Sequence, residues 1–362
     1  MEIYVKDIMQ LLEDWAPSSL AESWDHPGLQ VGNPNQPVHK ILVALDMTEL
    51  NISYAIDHGV DMVISHHPFL FKPIHDIDLS TCKGRMIENL IRHRITSFAA
   101  HTNLDSAVQG VNDALAEKLG LQECKGFVPV MTYSSYKFTL YITAAHAKLL
   151  KKKLDSLRGK DIESYYVVDD ADDFTENIRV EFRVPGQLVK QVKDMISSLD
   201  KSAKYDVYKL VNHDYKETMG RIGKFPFPMS VEEALSYIKN KLEIPVLRYA
   251  GNRDRLVEKI AILGGAGAEF AGVAKSMGAD LYLTGDLKYH EAQDAAMNGL
   301  VIADGGHFYT ERVIIPYLAK RLRDEFKTRG WNIGVLEDVR SKDIFRCVSV
   351  SYTHLTLPTI LR

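Results

Sequence analysis

The sequence predicts a mixed α/β protein, with partly parallel sheets flanked by helices and an inserted ferredoxin-like α+β unit. Three observations carry this prediction. Short apolar runs alternate with amphipathic stretches along most of the chain. The runs 40–46 and 60–64 flank a helical stretch, and strand–helix–strand order requires parallel pairing. Between residues 135 and 211 the order becomes β-α-β-β-α-β, that of a ferredoxin-like sandwich.

The elements follow in order. Residues 5–16 place Val5, Ile8, Met9, Leu11, Leu12 and Trp15 near one helical face, and Pro17 stops the helix. A turn-rich loop, 23–32, carries Trp24 and Asp25, with Asp25 read first as a turn or cap residue. Residues 40–46 form a strand tipped by Asp46. A helix follows over 48–58, with Thr48 as N-cap and Gly59 just past its end. Residues 60–64 form the next strand, closed by Pro68 after His66 and His67. A helix over 83–93, a strand over 96–100 and a helix over 110–119 complete this half, taken as residues 1–127.

The inserted unit, 128–221, carries strands at 136–142, 165–168, 178–184 and 205–210. Its helices are 147–157 and 187–199. Lys151, Lys152 and Lys153 read as a solvated helix face. The Gly/Pro-rich stretch 220–228 is expected to be a linker back to a second half, 222–350. That half opens on a helix capped by Ser230, followed by a strand over 245–249. Further strands are expected at 260–263, 280–284 and 300–303. A helix from His307 onward continues through 312–328, with Pro316 as a kink. Gly264-Gly265-Ala266-Gly267 suits either close helix–strand packing or a phosphate; it lacks the GxGxxG spacing.

Composition narrows the function classes. The 362 residues are 46% hydrophobic and 25% charged, which suits a folded domain with a sizeable core. A formal net charge of -4 gives no basic field to recruit nucleic acid. Cys82, Cys124 and Cys347 form neither a CxxC motif nor a disulfide framework, as expected in a reducing cytoplasm. The start of the chain has no signal-peptide pattern, and no apolar run is long enough to span a bilayer.

The chemistry concentrates just beyond strand tips, where open α/β sheets bind ligands. Alone, the pair His66-His67 reads as a polar turn. Three further pairs repeat its setting at the spacing i, i+4: His101 with Asp105, Asp286 with His290, and His307 with Glu311. On a helix that spacing puts both side chains on one face. Imidazoles and carboxylates without thiolate suit zinc first, with iron(II) or manganese as alternatives. The ligands are too many for one open tetrahedral site, so two divalent ions are expected, with Glu311 as a candidate bridge. Such a pair favours hydrolysis or hydration of a small substrate. His101, His290 or Asp286 would then act as general acid or base. Asp286 and His290 also read as caps or core polar groups.

These same residues resemble the Nif-three-like family, whose members are often called GTP cyclohydrolase I type 2 homologs. The matching stretches are Trp24-Asp25 with Gly28-Leu29, Ser65-His66-His67-Pro68 and His101-Thr102-Asn103-Leu104-Asp105. They continue with Gly264-Gly265-Ala266-Gly267, Thr284-Gly285-Asp286 with His290, and Gly306-His307 with Glu311. The resemblance implies a dinuclear site held by His66, His67, Asp105, His307 and Glu311, with Glu311 bridging. It implies that the insertion is CutA/PII-like, that the chain forms a homohexamer, and that the substrate is nucleotide-like or another small molecule. The alternative is a non-enzymatic metal-binding or regulatory scaffold whose inserted unit senses a ligand. His26 stands where the family usually has asparagine. The tail 351–362 does not resemble the family's ending; it reads as foreign sequence and is left out of the fold, with no role for His354.

Overall fold

The computed structural model describes residues 2–155, 157, 163–168 and 177–348; the tail 351–362 lies outside them. In the first half the strands are β1 (Gly28–Val31), β2 (Lys40–Ala44), β3 (Met62–Ser65), β4 (Thr96–Ala99) and β5 (Gln122–Lys125). The next are β6 (Val128–Thr143), β7 (Glu163–Val168), β8 (Asn177–Pro185) and β9 (Lys204–Met219). The last are β10 (Arg221–Ser230), β11 (Arg248–Ala250), β12 (Leu256–Ala266), β13 (Leu281–Gly285), β14 (Val301–Asp304) and β15 (Gly334–Glu337). They build three sheets, ordered β1-β4-β3-β2-β15, β11-β14-β13-β12-β10-β5 and β7-β8-β6-β9.

The first two sheets each have a parallel centre and an antiparallel edge. β4, β3, β2 and β15 run parallel, and β1 joins β4 antiparallel. β12, β13 and β14 run parallel, with β10 and β11 antiparallel at the flanks. Burial explains the apolar runs. In β2, Ile41 and Val43 enter the core shared with the second sheet, whereas Leu42 and Ala44 enter another beneath the helices Glu49–Asp57 and Cys82–Arg92. A strand covered on both faces needs apolar residues at every position. The shared core also takes Ile262, Leu283 and Ala303 from the second sheet, and Ile314, Leu318 and Leu322 from the helix Ile314–Arg329.

The third sheet is antiparallel throughout and has its own core. Phe138 and Phe182 stack there with centroids 5.3 Å apart, beneath Leu150, Val192 and Ile196 of its two helices. β6 and β9 extend well past the expected bounds. Beyond the sheet they pair with each other as a ribbon, Val128 opposite Met219, which leads back to the main body.

Three expectations are corrected. Residues 221–228 are not a linker; they belong to β10, which pairs with β12 and β5. Pro226 and Pro228 fall between Lys224 and Met229, where the ladder with β12 is interrupted, so their missing N–H groups cost no pairing. The helix expected from His307 through 328 is two helices, His307–Glu311 and Ile314–Arg329. Pro316 does not kink the second; it sits in its first turn, where backbone N–H groups have no intrahelical acceptor. The edge strands β5 and β15 carry no clear sequence signal, since β5 is exposed at all four positions and β15 is only partly buried. Among the described residues no helix is long and apolar enough to cross a membrane.

Candidate metal centre

Parallel strands end at one edge, and this brings the chemistry together. β2 runs into Asp46, β3 into His66 and His67, and β4 into His101 and the short helix Thr102–Ser106 that carries Asp105. From the second sheet, β13 runs into Asp286, and β14 into Gly305-Gly306 and the helix His307–Glu311. The strand ends at Ser65, so His66 and His67 lie in the turn and their imidazoles need not oppose each other. Their ring centroids are 5.0 Å apart.

Glu311 is 3% exposed and stands between two groups of side chains. Its Oε2 lies 2.8 Å from His67 Nε2 and 3.0 Å from His307 Nε2. Its Oε1 lies 3.7 Å from His66 Nε2, which is itself 3.6 Å from Asp105 Oδ1. The donor atoms of His67, His307 and Glu311 all lie within 4.8 Å of one another, and so do those of His66, Asp105 and Glu311. A third such group joins His66, His67 and His101.

Each imidazole is oriented from behind. The Ala100 carbonyl can only accept, so His66 donates Nδ1–H to it at 2.8 Å and turns the lone pair of Nε2 inward. His67 Nδ1 bonds Asp46 at 2.7 Å, His101 Nδ1 bonds Asp25 at 2.9 Å, and His307 Nδ1 bonds Asp286 at 2.8 Å. Metal-binding histidines are characteristically held in this way. Asp25 is therefore more than a turn residue. It is buried, and it also accepts from the Thr102 amide and hydroxyl. Burial opposes its charge, but the bonds from His101 and Thr102 prevail and hold it down at about 2.

The glycine-rich turn 264–267 serves this packing. A Cβ on Gly265 would stand 2.2 Å from Glu311 Oε1, at a φ of +66° that side chains rarely adopt. The Gly265 amide donates to Thr310 Oγ1, and the Gly264 amide to Asn112 Oδ1. These backbone donors are thus committed within the protein.

The residues fit a cation. His66 Nε2 and Asp105 Oδ1 are buried and lack hydrogen-bond partners among the described residues. Buried acceptors without donors are costly, and a metal would satisfy both. Burial, with the Glu311 charge nearby, pushes Asp105 up to about 7. Burial opposes protonation of His67, yet Asp46 and Glu311 push it up to about 10. His307 rises against the same opposition to about 9, through Glu311 and Asp286. Glu311 is held well below its usual range, its burial outweighed by the histidines around it.

Asp286 and His290 are not brought together. Asp286, at a φ of 53°, turns back to His307, whereas His290 lies on the exposed face of the next helix with Gln293 at 3.4 Å. The turn at Asp286 precedes that helix, so the i, i+4 spacing has no helical meaning there. Sequence reasoning noticed Asp46 only as an acid at a strand tip. The usable signal was that β2 and β3 are parallel neighbours, Ala44 opposite Ser65, so Asp46 emerges beside His67.

Fold and site together define an α/β protein with a largely buried His/carboxylate cluster, able to hold a metal, between two parallel-centred sheets. The family model Duf34/NIF3 (NGG1p interacting factor 3) matches residues 3–343, and the chain belongs to that family. A relative from Halalkalibacterium halodurans, named GTP cyclohydrolase 1 type 2 homolog, is 33% identical, over 93% of this chain and 97% of its own. A Bacillus subtilis relative of the same name is 32% identical, over 91% and 95%. The crystal structure of a Bacillus cereus protein related to NIF3 superposes with a TM-score of 0.83 at 32% identity, covering 96% of this chain and all of that one.

Proposed function

We propose that this chain is a dinuclear metal-dependent hydrolase acting on a nucleotide-like or other small substrate. The observation that carries the reading is Glu311, which turns one carboxylate oxygen to His67 and His307 and the other toward His66, with Asp105 in the same group. Those five residues would hold the ions, zinc first, with iron(II) or manganese as alternatives. Two bound divalent ions supply a water deprotonated at neutral pH. His101 stands in the group with His66 and His67 while its Nδ1 bonds Asp25, which suits a group that takes or returns a proton. Asp286 holds the His307 ring, a positioning role.

A cavity of about 750 Å³ adjoins this centre, and its lining includes Asp46, His67, Arg248, Asp286, His307 and Phe308. Its size suits a small organic substrate. The name carried by the relatives makes GTP one compound to test. The test is metal content per chain by plasma mass spectrometry, followed by a substrate screen. About two ions per chain, lost in Glu311→Gln together with turnover, supports the reading. A protein that keeps about one ion or none after reconstitution overturns it.

A second reading is a metal-binding or regulatory scaffold, with residues 128–221 as a CutA/PII-like ligand sensor. It draws on a cleft of about 850 Å³ between Tyr133, Gln187 and Gln191 on one side and Trp15, Arg321 and Arg329 on the other. Ligand binding confined to that cleft, with no turnover, would favour it. Assembly as a cytoplasmic homohexamer belongs to both readings, and light scattering tests the assembly.

A further inference from the structure

We propose that Trp24, Phe71 and His101 form a seat for a planar, unsaturated ring on the ligand that the metal centre engages. The inference rests on the metal-centre reading and adds a substrate class to it. Trp24 and Phe71 come from separate loops and are both about half exposed, 55% and 51%. Their rings nevertheless converge, with centroids 5.9 Å apart. Both also meet His101, at 5.9 Å and 6.2 Å. All three contacts are edge-to-face, with interplanar angles of 67°, 74° and 83°. In such pairs the edge of one ring meets the face of the other, and the half-exposed Trp24 and Phe71 keep ring surface open to a further ring.

The seat is continuous with the metal centre because His101 belongs to both. That residue belongs to the group with His66 and His67, and its ring meets Trp24 and Phe71. The seat is also braced. Asp25 fixes the His101 ring, and the Glu22 amide beside Trp24 donates to Thr102 Oγ1. Next to Phe71, the Leu70 amide donates to Gln30 Oε1, and Lys83 donates to the Phe69 carbonyl. Neither Trp24 nor Phe71 lines the 750 Å³ cavity on the His307 side. A ligand with its donor group at the metals can therefore place a ring on one side and its remainder on the other.

Three hydroxamates separate the contributions: acetohydroxamate, cyclohexanecarbohydroxamate and benzohydroxamate. Each is titrated calorimetrically into the zinc-loaded full chain. The expected result is benzohydroxamate binding about five- to tenfold tighter than the cyclohexane compound. Trp24→Ala and Phe71→Ala should erase that preference and leave acetohydroxamate binding unchanged, while Trp24→Phe should retain most of it. Equal affinities for the two ring compounds, or a preference that survives both alanine variants, overturns the seat alone. Failure of acetohydroxamate to bind overturns the metal reading, and the seat with it. A change in particle mass in Trp24→Ala, with ring preference intact, assigns these side chains to contact between copies and also overturns the seat.

Discussion

His66 Nε2 and Asp105 Oδ1 face each other across 3.6 Å, both buried and neither hydrogen-bonded among the described residues. In the metal-free protein this contact is a cost. Asp105→Asn should therefore leave the metal-free protein as stable as before or slightly more so. Zinc at a hundredfold excess over its Kd should add about 2.7 kcal/mol to the parent chain, a Tm gain on the order of 5 °C. Asp105→Asn should lose most of that gain. Thermal melts with and without zinc check both expectations.

The same centre predicts a pH dependence. His67 and His307, at about 10 and 9 in the metal-free protein, carry protons at neutral pH that a metal must displace. Zinc affinity should rise with pH by up to about tenfold per unit for each proton displaced, levelling off near pH 10. The stability of the metal-free chain should move the other way. Both histidines have raised values, so their contribution is complete below about 6.5 and fades as pH climbs through 9 and 10. Calorimetry in buffers of different ionisation enthalpy counts the released protons.

Gly265 should tolerate no side chain. A Cβ there would meet the Glu311 carboxylate at 2.2 Å, and the positive φ adds strain. Gly265→Ala should destabilise the chain by about 1–3 kcal/mol and displace Glu311. Metal content per chain should fall as far as it does in Glu311→Gln, as read by plasma mass spectrometry.

Asp286 and His290 should separate in function. Asp286→Asn leaves the shape of the His307 support and removes its charge, so metal affinity should drop about tenfold to a hundredfold. His290→Ala removes an exposed ring that meets Gln293 and Tyr289 rather than the cluster, and should change affinity less than twofold, within about 0.5 kcal/mol. A competition titration with a zinc chelator distinguishes the two.

Asp25→Asn tests the support behind His101. The variant should cost about 1–3 kcal/mol, since the carboxylate accepts three charge-assisted bonds from His101 and Thr102. The depressed value of Asp25 implies stability that is present above about pH 4 and lost as pH falls toward 2. Acid unfolding of parent and variant should therefore converge at low pH.

Much of the fold was legible because burial on both faces forces unbroken apolar runs, as in Ile41–Ala44 and Met62–Ile64. β10 was misread because Gly223, Pro226 and Pro228, just after Gly220, carry turn chemistry. Only its neighbours β12 and β5 show that the prolines fall where no ladder bond is needed. The i, i+4 rule held for His307 and Glu311, which share a helix, and failed for Asp286 and His290, which a turn divides.

By itself the sequence determined the residue types of the centre and their recurrent place beyond strand tips. Those follow from local pattern, since strand period, turn residues and helical spacing are short-range properties. Only the tertiary structure decided which tips meet. It set Glu311 between His67 and His66, put Asp46 and Asp25 behind the imidazoles, and showed that Gly265 is small so that a carboxylate can lie against it. These relations join residues tens to hundreds of positions apart. Their distances depend on how two sheets pack around one core, which no short-range periodicity encodes.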